Sequence, residues 1–368
     1  MDKTSLETPW GPLKELNIAD RDLCLEILSC DKHQLIEGLV VENIFDQIVG
    51  SLEKCMPGIH WLDIETAIVD TEQENIGRWH AFVWVRTRTA GLGRYLIALG
   101  KRFRTWVVET DTPLTDFFVR EFRPEEGLGE PVRIADLMIR LSGRKGKSQT
   151  VNPDVRNFAR QQQSFWGFLV GTYEDKLGER VVLPRIFLNQ GIQRWFRRLW
   201  NLDRILVHED RIWLLEIKHK YPYRRKNLSF GINRGELGVF DELSKCGIDC
   251  FHAILVKPHW HMHAGSSYLL NSLEQREHAL LIGKVLDERV IRQISTGPRS
   301  SSPGYTSFDG NNRLDYFPVP ANSFGELGMI TDPRVVLADK LATGLRGVDL
   351  PTLTDERLSG LRLKDERK

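Results

Sequence analysis

Residues 202–220 read LDRILVHEDRIWLLEIKHK, two apolar runs separated by the polar tetrapeptide HEDR at 208–211. Leu202–Val207 and Ile212–Lys218 are strand-like, and the polar break predicts an antiparallel hairpin. If its centre lies between Glu209 and Asp210, Asp203 stands opposite Glu216. Side chains alternate along a strand, so Lys218 shares the face of Glu216. Asp203, Ile205 and Val207 then point the same way as Ile212, Leu214, Glu216 and Lys218. Leu206, Trp213, Leu215 and Ile217 cover the other side. Both faces are mostly apolar, as in a central strand. The turn lacks the Asn-Gly of a tight hairpin, but a four-residue loop keeps the same register.

That register sets two carboxylates against each other. Directly opposed residues have Cβ atoms ~5 Å apart, where like charges repel. In an apolar sheet the pair must share a proton or hold a cation. Mg²⁺ meets the need, because it takes oxygen ligands and is held by one or two carboxylates plus water and substrate phosphate. Lys218, further along that face, can stabilise an attacking hydroxide or developing phosphate charge.

The arrangement resembles the PD-(D/E)XK, or restriction-endonuclease-like, nuclease superfamily, which carries an Asp on one core strand and Glu-x-Lys on the next. Here these are Asp203 and Glu216-Ile217-Lys218. The resemblance covers roughly residues 150–290, including a helix and strand expected at 233–245 and 251–256. It implies that Asp203, Glu216 and the Ile217 carbonyl bind Mg²⁺ or Mn²⁺ while Lys218 helps activate water. It also implies phosphodiester hydrolysis, with DNA favoured over RNA, and a setting such as bacterial defence against phage or foreign DNA. Many members carry a Glu on the helix before the Asp, and Glu174 is the nearest candidate. The rival expectation is a non-catalytic nucleic-acid-binding or assembly subunit on a nuclease-like fold.

The surroundings are basic. Pro184–Lys226 holds eleven Arg or Lys against four Asp or Glu, in a chain whose net charge is only +1. A localised basic segment on a neutral protein fits a polyanion site. Lys220, Arg224, Arg225 and Lys226 interleave with Tyr221 and Tyr223, and Arg194, Arg197 and Arg198 lie beside Trp195 and Trp200. Such groups contact phosphates and stack on bases. Equally, the aromatics of the 194–200 cluster can fill the core while the arginines snorkel.

The 368 residues, 41% hydrophobic and 27% charged, suit an α/β protein with more than one unit. A separate N-terminal α/β domain is expected over 1–150, regulatory or partner-binding in role, with Ser142–Asn152 as the boundary. A mixed central sheet flanked by helices follows over 151–294. A loop and charged C-terminal extension occupy 295–368, with the last thirty residues loosely attached. Val181–Phe187 reads as extended. No apolar window is long enough to span a membrane. Five cysteines without CxxC pairs suit a reducing cytoplasm, and a homo-oligomer is compatible with all of this. His259, His261 and His263, near Cys246 and Cys250, match no familiar zinc spacing. GRKGKS at 143–148 lacks the first glycine of a phosphate loop, and Gly91-Leu92-Gly93 reads as a turn.

Overall fold

The computed structural model describes residues 5–30, 35–87, 89–111, 114–147, 158–224, 226–261, 264–301 and 314–364. Arg225 and His263 lie outside them, as does most of the proposed 142–152 boundary. The architecture is mixed α/β, built on two large sheets and a smaller one.

The first sheet has six strands in the order Gly325–Met329, Leu280–Leu286, Ile248–Val256, Arg211–Lys220, Arg204–His208 and His60–Trp61. Within it, only the pairing of 211–220 with 248–256 is parallel. Parallel neighbours need a crossover, and the helix Arg234–Lys245 supplies it. That helix starts where the Asn233 side chain accepts the Gly235 N–H, a side-chain N-cap.

The second sheet runs Leu199–Leu202, Ile64–Asp70, Trp79–Val85, Arg104–Thr110 and Phe117–Arg123, with two short strands, Gly127–Leu128 and Val132–Arg133, pairing with the last. A four-stranded sheet joins Tyr223–Arg224, Leu228–Asn233, Asp315–Pro320 and Ser300–Ser301.

The hairpin forms with Arg204 opposite Leu215, Leu206 opposite Trp213 and His208 opposite Arg211. Glu209 adopts φ 49°, so the turn is made by Glu209 and Asp210 alone, without the glycine that usually takes this conformation. The two faces separate as alternation requires. Ile205, Val207, Ile212 and Leu214 join the core beneath helix 234–245, with Leu237, Phe240 and Leu243. Leu206, Trp213, Leu215 and Ile217 pack with Val40, Val41, Ile44, Phe45 and Ile48 of the helix Leu35–Val49.

Three expectations are corrected. Residue 150 does not divide the sheets: Leu199–Leu202 pairs with Ile64–Asp70, and His60–Trp61 pairs with Leu206 and Val207. The chain therefore leaves the six-stranded sheet after 61 and re-enters it at 204. Second, 178–192 is helical, with wide π-type turns around Leu183–Ile186. A short apolar run reads the same in a buried helix as in a strand; here Val181, Val182, Ile186 and Phe187 are all buried. Third, the C-terminal region is integral. Strand 325–329 edges the six-stranded sheet, helices Arg334–Leu345 and Asp355–Leu361 follow, and Leu341, Leu345, Leu353 and Leu358 are buried. The charged residues of that segment occupy its outer faces and mask its apolar stripe in composition.

Candidate active site

Asp203 sits between strands 199–202 and 204–208, where the chain passes from one sheet to the other. Its Oδ2 accepts the Ile217 N–H at 2.7 Å. One further step along the Arg204–Leu215 ladder sets Asp203 beside Glu216. A strand residue's N–H and C=O point to the same edge, so the Ile217 carbonyl also faces Asp203's side. Strand 211–220 outruns its partner there, because the partner ends at Arg204 and the preceding residues belong to the other sheet. Beyond Leu215 this edge carries no ladder from 204–208, and the chemistry-bearing residues lie along it.

Glu216 is only 4% exposed. The Lys218 ammonium bonds to the Glu216 carboxylate and lies 2.9 Å from Oε1 of Glu236, on the crossover helix. Burial and the nearby Asp203 charge push Glu216 well above the usual carboxylate range. Burial pushes Asp203 up as well, opposed by Lys218 and by the Ile217 N–H. Burial works against a charged Lys218, yet Glu216, Glu236 and Asp203 hold its ammonium well above its ordinary value. Lys218 is therefore a fixed cation at neutral pH, suited to stabilising negative charge and unsuited to taking a proton.

A further carboxylate comes from far away in sequence. Glu42, on helix 35–49, is pushed up to about 7, first by burial and then by Asp203. Arg204 lies 3.4 Å from it and forms a two-pronged pair with Asp46. Glu174, the helix glutamate suggested by its nearness to Asp203 in the chain, instead stands exposed in a turn at φ 49°. The helix that faces Asp203 is 35–49, more than a hundred residues earlier. Glu236 was also missed; its signal is its place in the first turn of the helix that follows Glu-x-Lys.

Of the basic candidates, Lys220 stays at the site, donating to the Gly231 carbonyl at 2.7 Å. Arg224 and Lys226 are exposed on or beside the short strand 223–224 of the small sheet. Arg197 is exposed. Arg194 donates to the Glu7 carbonyl and lies over the Trp195 ring, while Arg198 bridges Asp70 and Glu72. Trp195 and Phe196 are buried in the core of the second sheet, so this cluster follows the packing alternative for its aromatics. His259 and His261 stand with ring centroids 6.0 Å apart, whereas Cys246 and Cys250 are buried.

Among the described residues, no three His, Cys, Asp or Glu side chains are grouped to hold a metal ion. A hard cation at Asp203 would thus rest on two carboxylates, the Ile217 carbonyl, water and substrate oxygens, which is the Mg²⁺ pattern. The donor set fits. Asp203, Glu216, Glu236 and Glu42 influence one another's protonation, against Lys218 and Arg204 as the cations in contact with them. This excess of buried negative charge is what a divalent ion would neutralise.

The whole chain was compared with protein-family models, curated proteins and solved structures, and none matches it.

Proposed function

We propose that the chain is a divalent-metal-dependent nuclease of the restriction-endonuclease-like kind, hydrolysing phosphodiester bonds with DNA favoured over RNA. The observation that carries this reading is the Asp203–Glu216–Lys218 constellation at the point where strand 211–220 loses its ladder partner. Asp203, Glu216 and the Ile217 carbonyl hold Mg²⁺ or Mn²⁺, and Glu42 is the helix carboxylate of the site. The bound cation supplies positive charge that screens the phosphate and acidifies an attacking water. Lys218, kept charged by its carboxylate neighbours, stabilises the charge that builds on the phosphate oxygens. Glu236 holds the ammonium in place. The mixed sheet with one parallel pair, its crossover helix and helix 35–49 on the opposite face supports the same assignment.

A second reading is a structural ion-pair network on a nucleic-acid-binding or assembly subunit. It is favoured by one observation, that Lys218 is already engaged by two carboxylates. The two readings separate on incubation of the protein with DNA and RNA in Mg²⁺, Mn²⁺ or EDTA, beside Glu216→Ala and Lys218→Ala. The nuclease reading expects cleavage that needs the metal and falls at least about a hundredfold in either variant, since even residues supporting a metal ligand are worth up to that. Cleavage that persists unchanged in both variants contradicts the assignment.

A further inference from the structure

Beside Asp203 lies a cavity of about 470 Å³, bounded by the open edge of strand 211–220, by helix 35–49 and by the segment around Lys257–Ser266. That volume is in the range of about 300–1,000 Å³ that encloses a drug-sized molecule. Its lining is sorted by charge. Asp203 and Glu42 stand at one part, while Lys220, Lys257 and Ser266 belong to the remainder.

The cationic part is built rather than incidental. Lys257 is 5% exposed, and its ammonium donates to the Ala264 carbonyl at 2.5 Å. Its backbone N–H donates to the Lys220 carbonyl, which ties the two lysines to adjacent strand ends. Ser266 is fully buried, and its backbone N–H donates to Glu37. Its hydroxyl lines the cavity and makes no hydrogen bond among the described residues. A Cβ at Gly265 would come within 2.0 Å of the Glu37 carboxylate, so glycine there lets the segment lie this close. A buried hydroxyl without a partner costs free energy unless something completes it. Two lysine ammonium groups beside it describe an anion, and phosphate oxygens accept from all three.

We infer that Lys220, Lys257 and Ser266 form a subsite for a phosphate of the substrate strand next to the one cleaved, and that this strand enters unpaired. The inference rests on the nuclease reading for the position of the cleaved phosphate. An enclosed space of this size admits one strand, whereas a duplex must present both backbones to an open surface. Enzymes that work on a nucleotide inside a pocket take it out of the stack or act on single strands for the same reason.

The test uses full-length Glu216→Gln protein in EDTA, with fluorescence anisotropy on a labelled single-stranded oligonucleotide and on a closed dumbbell duplex of the same sequence. The single strand is expected to bind about tenfold or more tightly than the dumbbell. Adding Lys257→Met should weaken single-strand binding about tenfold and reduce the salt dependence by about one phosphate contact. Because Lys257 is buried, Ser266→Ala serves as the second variant. It removes a hydroxyl left unbonded in the fold, so the melting temperature should hold or rise while single-strand affinity falls. Equal binding of both substrates, or unchanged affinity in both variants, overturns the subsite. Metal-dependent cleavage by the wild type is scored separately: cleavage without this binding pattern removes the subsite and leaves the nuclease reading, and the pattern without cleavage does the reverse.

Discussion

At the scale of single residues, Asp203 does two jobs that can be pulled apart. Its carboxylate accepts the Ile217 N–H and contributes negative charge to a crowded site. An asparagine side chain at that position keeps an acceptor oxygen but not the charge. Asp203→Asn should therefore leave the metal-free melting temperature unchanged or raised, because repulsion is relieved, while abolishing the stabilisation by Mn²⁺ seen in a thermal melt. A melt that falls by more than a few degrees would show that the charge itself holds the fold. Glu42 makes the pH case. Its carboxyl is raised from about 4.5 to about 7 on folding, so between those values the folded state binds more protons than the unfolded one. Stability from this group is present below about 4.5 and is lost as pH rises toward 7. Melting in EDTA across that window should show this decline, and Glu42→Gln should flatten it. Mn²⁺ should oppose it with greater effect at the alkaline end, where the carboxylates are free to bind.

Elements show why some of this was legible in the sequence and some was not. The hairpin register was readable because a one-residue slip would turn every apolar side chain of 211–220 to the wrong face. Its register therefore placed Asp203, Glu216 and Lys218 from spacing alone. Glu42 carries no such local signal: it lies on an amphipathic helix whose docking against 211–220 is a long-range event. Helix 178–192 was misread as extended because burial on all sides erases periodicity. Gly91 offers a packing test at this scale. It opens the helix Leu92–Leu99 at φ 91°, and a Cβ there would sit 2.9 Å from a Val207 methyl group. Gly91→Ala should destabilise by about 1–3 kcal/mol in a denaturant melt, through backbone strain and overpacking against the hairpin. A loss within error would mean the helix start can move away from Val207.

For the whole molecule, the two large sheets are threaded through each other's sequence. Residues 35–61 contribute a helix and an edge strand to the six-stranded sheet, and 199–202 returns to close the edge of the other. Composition could not reveal this, since nothing at 150 or 200 distinguishes an insertion from a second domain. Fragments 1–150 and 151–368, expressed apart, should each fail to give a cooperative melt by circular dichroism; two cooperative melts would restore the simple division. The charge pattern likewise changes meaning at this scale. Part of the basic run at 184–226 is answered by acidic groups from the N-terminal half, as Arg198 is by Asp70 and Glu72, and Arg204 by Asp46. The cations left for a polyanion gather where strand 211–220 runs past its partner. The measurement that tests this account most directly is the single-turnover cleavage rate of a phosphodiester substrate in Mn²⁺, wild type against Glu216→Gln of matched melting temperature. The account predicts metal-dependent cleavage by the wild type and a loss of at least about a hundredfold in the variant; equal rates in the two proteins would contradict it.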